Sequence, residues 1–206
     1  MWVAPAVAKA AMESGVARRP IDDWAAYTVE LERHMDPGRG LLQEVIREAR
    51  RDPKRIVLAE GNDPRVIKAA SVLAGEGIAM PILLGLRDDI EETAKGIGVD
   101  LEGVEVIYPR QAPQFEDYVS SYLEVNQRRG VTPATARGDM ARRTDFGMMM
   151  VQSGDVDGIV VGATRPYAEA IRPALRVIGS DGRACGLTTV LTREETLFFA
   201  DTTVNI

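Results

Sequence analysis

Apolar positions recur at helical spacing through the first fifty residues. Between Ala4 and Val16, Val7, Ala10 and Ala11 share a face, Lys9 and Glu13 lie off it, and Gly15 stands where a helix ends. Arg18-Arg19-Pro20 breaks the pattern, and Asp22-Asp23 caps a second helix carrying Trp24, Tyr27, Val29 and Leu31. Asp36-Pro37-Gly38-Arg39-Gly40 reads as a turn or linker. A third amphipathic helix, Leu41 to Arg51, turns Leu42, Val45, Ile46 and Ala49 inward and pairs Glu44 with Arg47 and Glu48 with Arg51 outside.

From Lys54 the period changes to short apolar runs alternating with helices, the pattern of a largely parallel sheet wrapped by helices. The runs are Arg55 to Ala59, Met80 to Gly85, Val104 to Tyr108 and Asp157 to Gly162, the last continuous and β-branched, as in a strand covered on both faces. Helices are expected from Pro64, with Val66, Ile67, Ala70, Val72 and Leu73 buried, and over Arg87 to Ile97, Phe115 to Arg129, Pro133 to Ser153 and Ala168 to Ile178. Ala184 to Leu191 and Thr196 to Ala200 flank Thr192-Arg193-Glu194-Glu195 as an antiparallel hairpin. The sequence stops directly after that apolar strand, which reads as a chain cut within a larger unit and leaves an edge that invites association.

Composition narrows the function classes. The 206 residues, 45% hydrophobic and 27% charged, suit a folded core rather than a disordered tail, and no apolar run reaches the length of a membrane span. A net charge of −6 gives no global attraction for nucleic acid. With Cys185 alone, no internal disulfide forms, and a cytoplasmic setting is expected. A single His and a single Cys also exclude clustered zinc ligands and imidazole–thiolate pairs. Any chemistry must rest on arginines, carboxylates, hydroxyls and backbone dipoles.

In open α/β sheets ligands collect beyond the carboxyl ends of the strands. Gly61-Asn62-Asp63 follows the first strand and reads as a turn and helix cap. After the fourth strand, Gly162 permits close approach to the main chain, Thr164 offers a hydroxyl, and Arg165 or Arg172 supplies a planar fork suited to phosphate. Arg128, Arg129, Arg137, Arg142 and Arg143 read as a solvated helix face, Met148-Met149-Met150 as core, and His34 as a residue beside a linker. Neither a GxGxxG after a strand nor a GxxxxGK[ST] is present.

Longer segments carry a resemblance. Residues Val3 to Ile21 are similar to the closing segment of the malic domain in bacterial NADP-dependent malic enzymes. From about Arg55 the chain resembles the phosphate acetyl/butyryltransferase region fused behind that domain in the large hybrid members. The carrying pieces are Ile56-Val57-Leu58-Ala59-Glu60-Gly61, Gly154-Asp155-Val156-Asp157-Gly158 running into Gly162-Ala163-Thr164, Ile171-Arg172-Pro173-Ala174-Leu175, and Phe199-Ala200-Asp201-Thr202-Thr203-Val204-Asn205. The resemblance implies the first lobe of a two-lobed phosphotransacetylase/isocitrate-dehydrogenase-like fold, a hairpin of the second lobe, and N-terminal helices. Residues 1–36 would be the malic-domain tail with a linker, and 37–206 a phosphotransacetylase-like domain.

The same resemblance implies acetyl-CoA, or acetyl phosphate, as ligand, with Arg172 as the substrate-binding arginine and Gly162, Thr164, Arg165, Asp201 and Asn205 beside it. NADP and a divalent metal would belong to the malic domain, and no cofactor is expected in this chain. Arg165-Pro166-Tyr167-Ala168-Glu169-Ala170 stands where active transferases carry a serine-rich run, and Asn126 stands about where they place another substrate arginine. Their C-terminal serine and aspartate fall outside the sequence. An acetyl-CoA-responsive regulatory region without a complete catalytic set is the leading expectation. A working phosphate acetyltransferase and a non-catalytic oligomerisation module are the alternatives; a homo-oligomer is expected, without nucleic-acid or membrane partners.

Overall fold

The computed structural model describes residues 3–35, 37–179, 185–192 and 195–201. Ala49–Ala184 form one compact unit, and Met1–Glu48 together with Cys185–Ile206 form the other. In the larger unit, β1 (Lys54–Leu58), β2 (Ala79–Leu84), β3 (Glu105–Ile107) and β4 (Gly158–Val160) make a wholly parallel sheet in the order β3-β2-β1-β4. The helices α4 (Pro64–Gly75) and α5 (Arg87–Gly96) connect β1 to β2 and β2 to β3. The chain then returns through α6 (Phe115–Asn126), α7 (Pro133–Met140) and α8 (Arg143–Gln152), placing β4 on the opposite side of β1. That reversal opens a crevice beyond the ends of β1 and β4, where such sheets bind ligands.

Alternation along the strands explains the layers. Val57, Ile82 and Leu84 face a core built from Phe115, Tyr118, Tyr122, Met140, Phe146 and Met148-Met149-Met150. Leu58 and Leu83, one residue out of phase, face Ile67, Ala70, Ile90 and Ala94. A central parallel strand thereby buries both faces, and the three methionines are core residues as expected. Asp63 caps α4 by accepting from the Arg65 N–H at 2.8 Å, with Pro64 in the first turn.

The fold departs from the sequence pattern at several places, and Leu42 and Val45 of the third helix, expected inward, are 47% and 56% exposed. Pro37 to Gly40, expected as linker, are helical and open α3 (Pro37–Arg51); proline suits a first helical turn, and the amphipathic run behind it carries the two glycines. Val72, expected inside, is 47% exposed, and Val160 is 59% exposed because β4 is an edge strand. Pro133 to Ser153, expected as one helix, breaks between α7 and α8, where Arg142 takes an extended backbone (φ −81°, ψ 128°). Residues 127–129, expected as the end of a long helix, tighten into a 3-10 turn closed by left-handed Gly130.

The second unit contains α1 (Val3–Glu13), α2 (Trp24–Met35) and most of α3. Asp23 accepts from the Ala26 N–H at 2.9 Å and caps α2 as expected. The hairpin is present as antiparallel β5 (Leu187–Leu191) and β6 (Thr196–Ala200). Thr192 closes its turn: its N–H and hydroxyl both donate to the Glu195 carbonyl, at 3.0 and 2.8 Å. No helix among the described residues is long and apolar enough to cross a membrane.

One glycine sets how closely the loops after β1 and β2 approach. A Cβ on Gly61 would stand 2.7 Å from the Leu84 carbonyl oxygen, a backbone atom that cannot step aside. We expect Gly61→Ala to lower unfolding stability by about 1–3 kcal/mol. Gly75→Ala, with nothing within 4 Å of the added carbon, stays at or above wild-type stability, as urea titration of both variants would show.

Candidate functional site

The crevice is organised by a carboxylate. Glu60 leaves the end of β1 and reaches the loop after β4, a sequence separation of 102 to 104 residues. Its oxygens accept from the Gly162 N–H (3.1 and 3.2 Å), the Ala163 N–H (3.1 Å), and the Thr164 N–H (3.1 Å) and hydroxyl (3.2 Å). Burial pushes the Glu60 pKa up, but the hydrogen bonds from Thr164, Ala163 and Gly162 outweigh it and leave the carboxyl below its ordinary value. The donors expected at Gly162 and Thr164 are therefore in place, and the anion they hold is the protein's own.

Two further links tie these loops together. Arg65 forks onto Asp63 (3.0 and 2.9 Å) and donates to the Ala163 carbonyl at 3.1 Å. The Arg65 side chain holds the Asp63 carboxyl down at about 2. Arg143, at the start of α8, donates to Asn62 Oδ1 at 2.9 Å and to the Leu84 carbonyl at 3.3 Å. Gly61-Asn62-Asp63 is thus the expected turn and cap, and also part of the crevice wall.

Two cavities open here. One, of about 320 Å³, is lined by Glu60, Asn62, Asp63, Arg143, Thr144, Thr164 and Arg165. The other, of about 260 Å³, lies between α8 and α9 (Tyr167–Val177) and shares Thr144 and Arg165 with the first. Its remaining wall is Arg142, Asp145, Glu169, Arg172, Pro173 and Arg176. Glu169, Arg172 and Arg176 follow one another at spacings of three and four, which stacks them on one side of α9, and Arg165 stands just ahead of that helix. Pro173 packs inward among them; it cannot donate to the Glu169 carbonyl one turn back, so the helix there depends on packing.

Four guanidinium groups thus meet at one cavity, and buried carboxylates hold two of them. Asp145, 2% exposed, receives Arg142 Nε at 2.9 Å on one oxygen and Arg176 Nη2 on the other. Asp139 receives Arg142 as well and lies 3.7 Å from Arg176 Nη1. Tyr122 donates to Asp139 at 3.0 Å beneath the Arg176 guanidinium; burial and that hydrogen bond push the phenol up to about 12, so it stays protonated. Arg165 pairs loosely with Glu169 at 3.9 Å. Arg172 has no hydrogen bond or ion pair among the described residues, so its fork is available to an anion at the mouth.

The structure therefore brings Thr164, Arg165 and Arg172 to the walls of two adjoining cavities, whereas Gly162 lines neither and meets the Glu60 carboxylate instead. Asp201 directly follows β6 in the other unit with left-handed backbone (φ 56°), its N–H donating to the Gly186 carbonyl at 2.6 Å. Asn205 and the side chain of His34 lie outside the described residues. Asn126, 1% exposed, donates to the Tyr122 carbonyl at 3.0 Å and lines neither cavity. Arg142 and Arg143, read as a solvated face, instead shape the site because the α7–α8 break turns them toward it. The spacings Asp139-x-x-Arg142-x-x-Asp145 could have signalled the pairing. Nothing local signals where Glu60 points. Among the described residues no group of His, Cys, Asp or Glu is placed to hold a metal ion.

Known proteins resemble this chain in sequence and in fold. The sequence model of the family described as phosphate acetyl/butaryl transferase matches residues 40–206. An NADP-dependent malic enzyme of Salmonella typhimurium is 38% identical over 210 residues, spanning 98% of this chain and 28% of that protein. A phosphate acetyltransferase of Nitratidesulfovibrio vulgaris is 35% identical over 164 residues, spanning 78% of this chain and 23% of its own length. The crystal structure of a phosphotransacetylase from Streptococcus pyogenes superposes with a TM-score of 0.75 at 30% identity, covering 82% of this chain and 52% of that one. The chain thus spans 28% and 23% of the length of these two curated relatives, and about half of that solved structure. The parallel sheet flanked by helices, with a small antiparallel hairpin, is the expected fold class.

The Glu60 carboxylate should be visible in the acid limb of stability. Its folded-state pKa lies below the ordinary 4.5, so its stabilisation is complete above that value and is lost as pH falls through the depressed folded one. Glu60→Gln should cost about 2 kcal/mol at neutral pH. The gap to wild type should narrow steadily below the ordinary value, and chemical denaturation across the acid range measures it.

Proposed function

The chain belongs to the phosphate acetyl/butaryl transferase family, and from that membership we propose that it binds the phosphate-bearing end of acetyl-CoA or acetyl phosphate and senses it rather than turning it over. The observation that carries the reading is Arg172: a guanidinium without a partner among the described residues, at a cavity wall it shares with Arg142, Arg165 and Arg176. A phosphate oxyanion accepts two parallel hydrogen bonds from such a fork, and the neighbouring cations add to the attraction. Because Asp145 and Asp139 neutralise Arg142 and Arg176 in part, the field is cationic without being prohibitively self-repelling.

Acyl transfer between CoA and phosphate also needs a group to take the thiol proton. Among the described residues neither cavity is lined by His, Cys or Lys. Asp145 is buried under two arginines, and Glu60, acidified by its donors, is a poor base. These features support binding without turnover. The malic enzymes that match nearly the whole chain support a setting in which the bound acyl ligand regulates oxidative decarboxylation of malate. In that setting NADP and a divalent metal are bound by other parts of such a protein, and the regulated assembly is a homo-oligomer.

Calorimetric titration of the chain with acetyl-CoA and with acetyl phosphate tests this. Binding whose affinity falls about tenfold or more in Arg172→Ala, with no CoA-dependent loss of acetyl phosphate, is the expected result. Absence of binding by both ligands, or turnover that Arg172→Ala abolishes, would replace sensing with no ligand role or with catalysis.

A further inference from the structure

The loop after β4 is shaped to hold an anion. Three consecutive N–H groups, at Gly162, Ala163 and Thr164, converge with the Thr164 hydroxyl on one point, all at 3.1–3.2 Å from carboxylate oxygens. Gly162 has φ +113°, which few other residues adopt, and that turn aims the donors together. Successive main-chain donors of this kind form concavities that bind phosphate as well as carboxylate. Glu60 reaches it from the other side of the crevice and is itself part of the wall of the 320 Å³ cavity, so the cradle lies one side chain away from open space.

We propose that Glu60 is the resident anion of a main-chain phosphate cradle: its carboxylate confines phosphate-bearing ligands to the arginine cavity, and removing it opens a second phosphate site at Gly162 to Thr164. Glu60 is tethered through its own backbone, whose carbonyl accepts from the Asp63 N–H at 3.0 Å, so it competes at high local concentration and a free anion does not displace it. It is negative throughout the neutral range, which adds charge repulsion to the steric block. Arg165, on the wall shared by both cavities, follows the cradle directly, so the same hydrogen bonds that close the cradle also place a cation for the ligand next door. Glu60 is in this sense a positioning and specificity-determining residue. The arginine-cavity half of the proposal rests on the function proposed above; the cradle half does not.

Inorganic phosphate and formate are the probes, with wild type, Glu60→Ala, Glu60→Gln, Arg172→Ala and the Glu60→Ala/Arg172→Ala double variant. In Glu60→Ala both anions should raise the melting temperature by several degrees more than in wild type, since each can occupy the vacated cradle. Glu60→Gln, whose amide still fills the space, should show no such gain. By calorimetry the double variant should bind phosphate about tenfold or more tightly than Arg172→Ala alone, the cradle then being the phosphate site. If Glu60→Ala is unfolded without added anion, phosphate or formate should restore its far-ultraviolet circular dichroism. A variant that stays unfolded at every anion concentration, or one that melts and binds as wild type does, overturns the cradle. Phosphate binding in wild type that ignores Arg172→Ala refutes the arginine cavity instead, and leaves the anion-dependent gain in Glu60→Ala as a separate result.

Discussion

A single carboxylate ties the end of β1 to the loop after β4, the two places between which the strand order of the parallel sheet reverses. β1 and β4 pair only from Ile56 to Leu58 with Gly158 to Val160 in register, so the short edge strand alone would leave the following loop loosely placed. Glu60 supplies the missing order by accepting five hydrogen bonds from three residues of that loop. Charge-assisted bonds of this kind are roughly twice as strong as neutral ones, and they act here where a topological switch point has already opened a crevice. The position of Arg165, and thus the wall between the two cavities, follows from that contact.

A second carboxylate organises the other wall. Asp145 takes one arginine on each oxygen, Arg142 from just ahead of its own helix and Arg176 from α9. The interruption between α7 and α8 is what allows it: a continuous helix would turn Arg142 away, whereas its extended backbone lets the side chain fold back onto Asp139 and Asp145. Buried ion pairs often fail to repay their desolvation when set against an apolar alternative. Here they keep guanidinium groups beside a cavity whose wall also carries Arg172, on the same side of α9 and without a partner among the described residues.

Much of the framework was legible. The four parallel strands, the Asp63 cap, the methionine core and the hairpin all follow from local periodicity and turn chemistry. The failures share a cause. Pro37 to Gly40 look like a linker because proline and glycine mark breaks, yet a helix propagated from behind absorbs them. Val160 looks like an interior strand residue because β-branched runs are usually covered, yet the order β3-β2-β1-β4 makes it an edge. Arg142 and Arg143 look solvated because charge runs usually are, yet a helix break redirects them.

The sequence by itself determined the alternation of strands and helices, the helix caps, the apolar layers and the presence of Arg165, Thr164 and Arg172 after the last parallel strand, because each of these depends on neighbours a few positions away. Only the tertiary structure decided what those groups face. Glu60 meets Gly162 across 102 residues and Arg176 meets Asp145 across 31, and such contacts arise from strand order and helix packing rather than from any local pattern. That is why Gly162 and Thr164 could be singled out in the loop after the last parallel strand, while the carboxylate they meet could not.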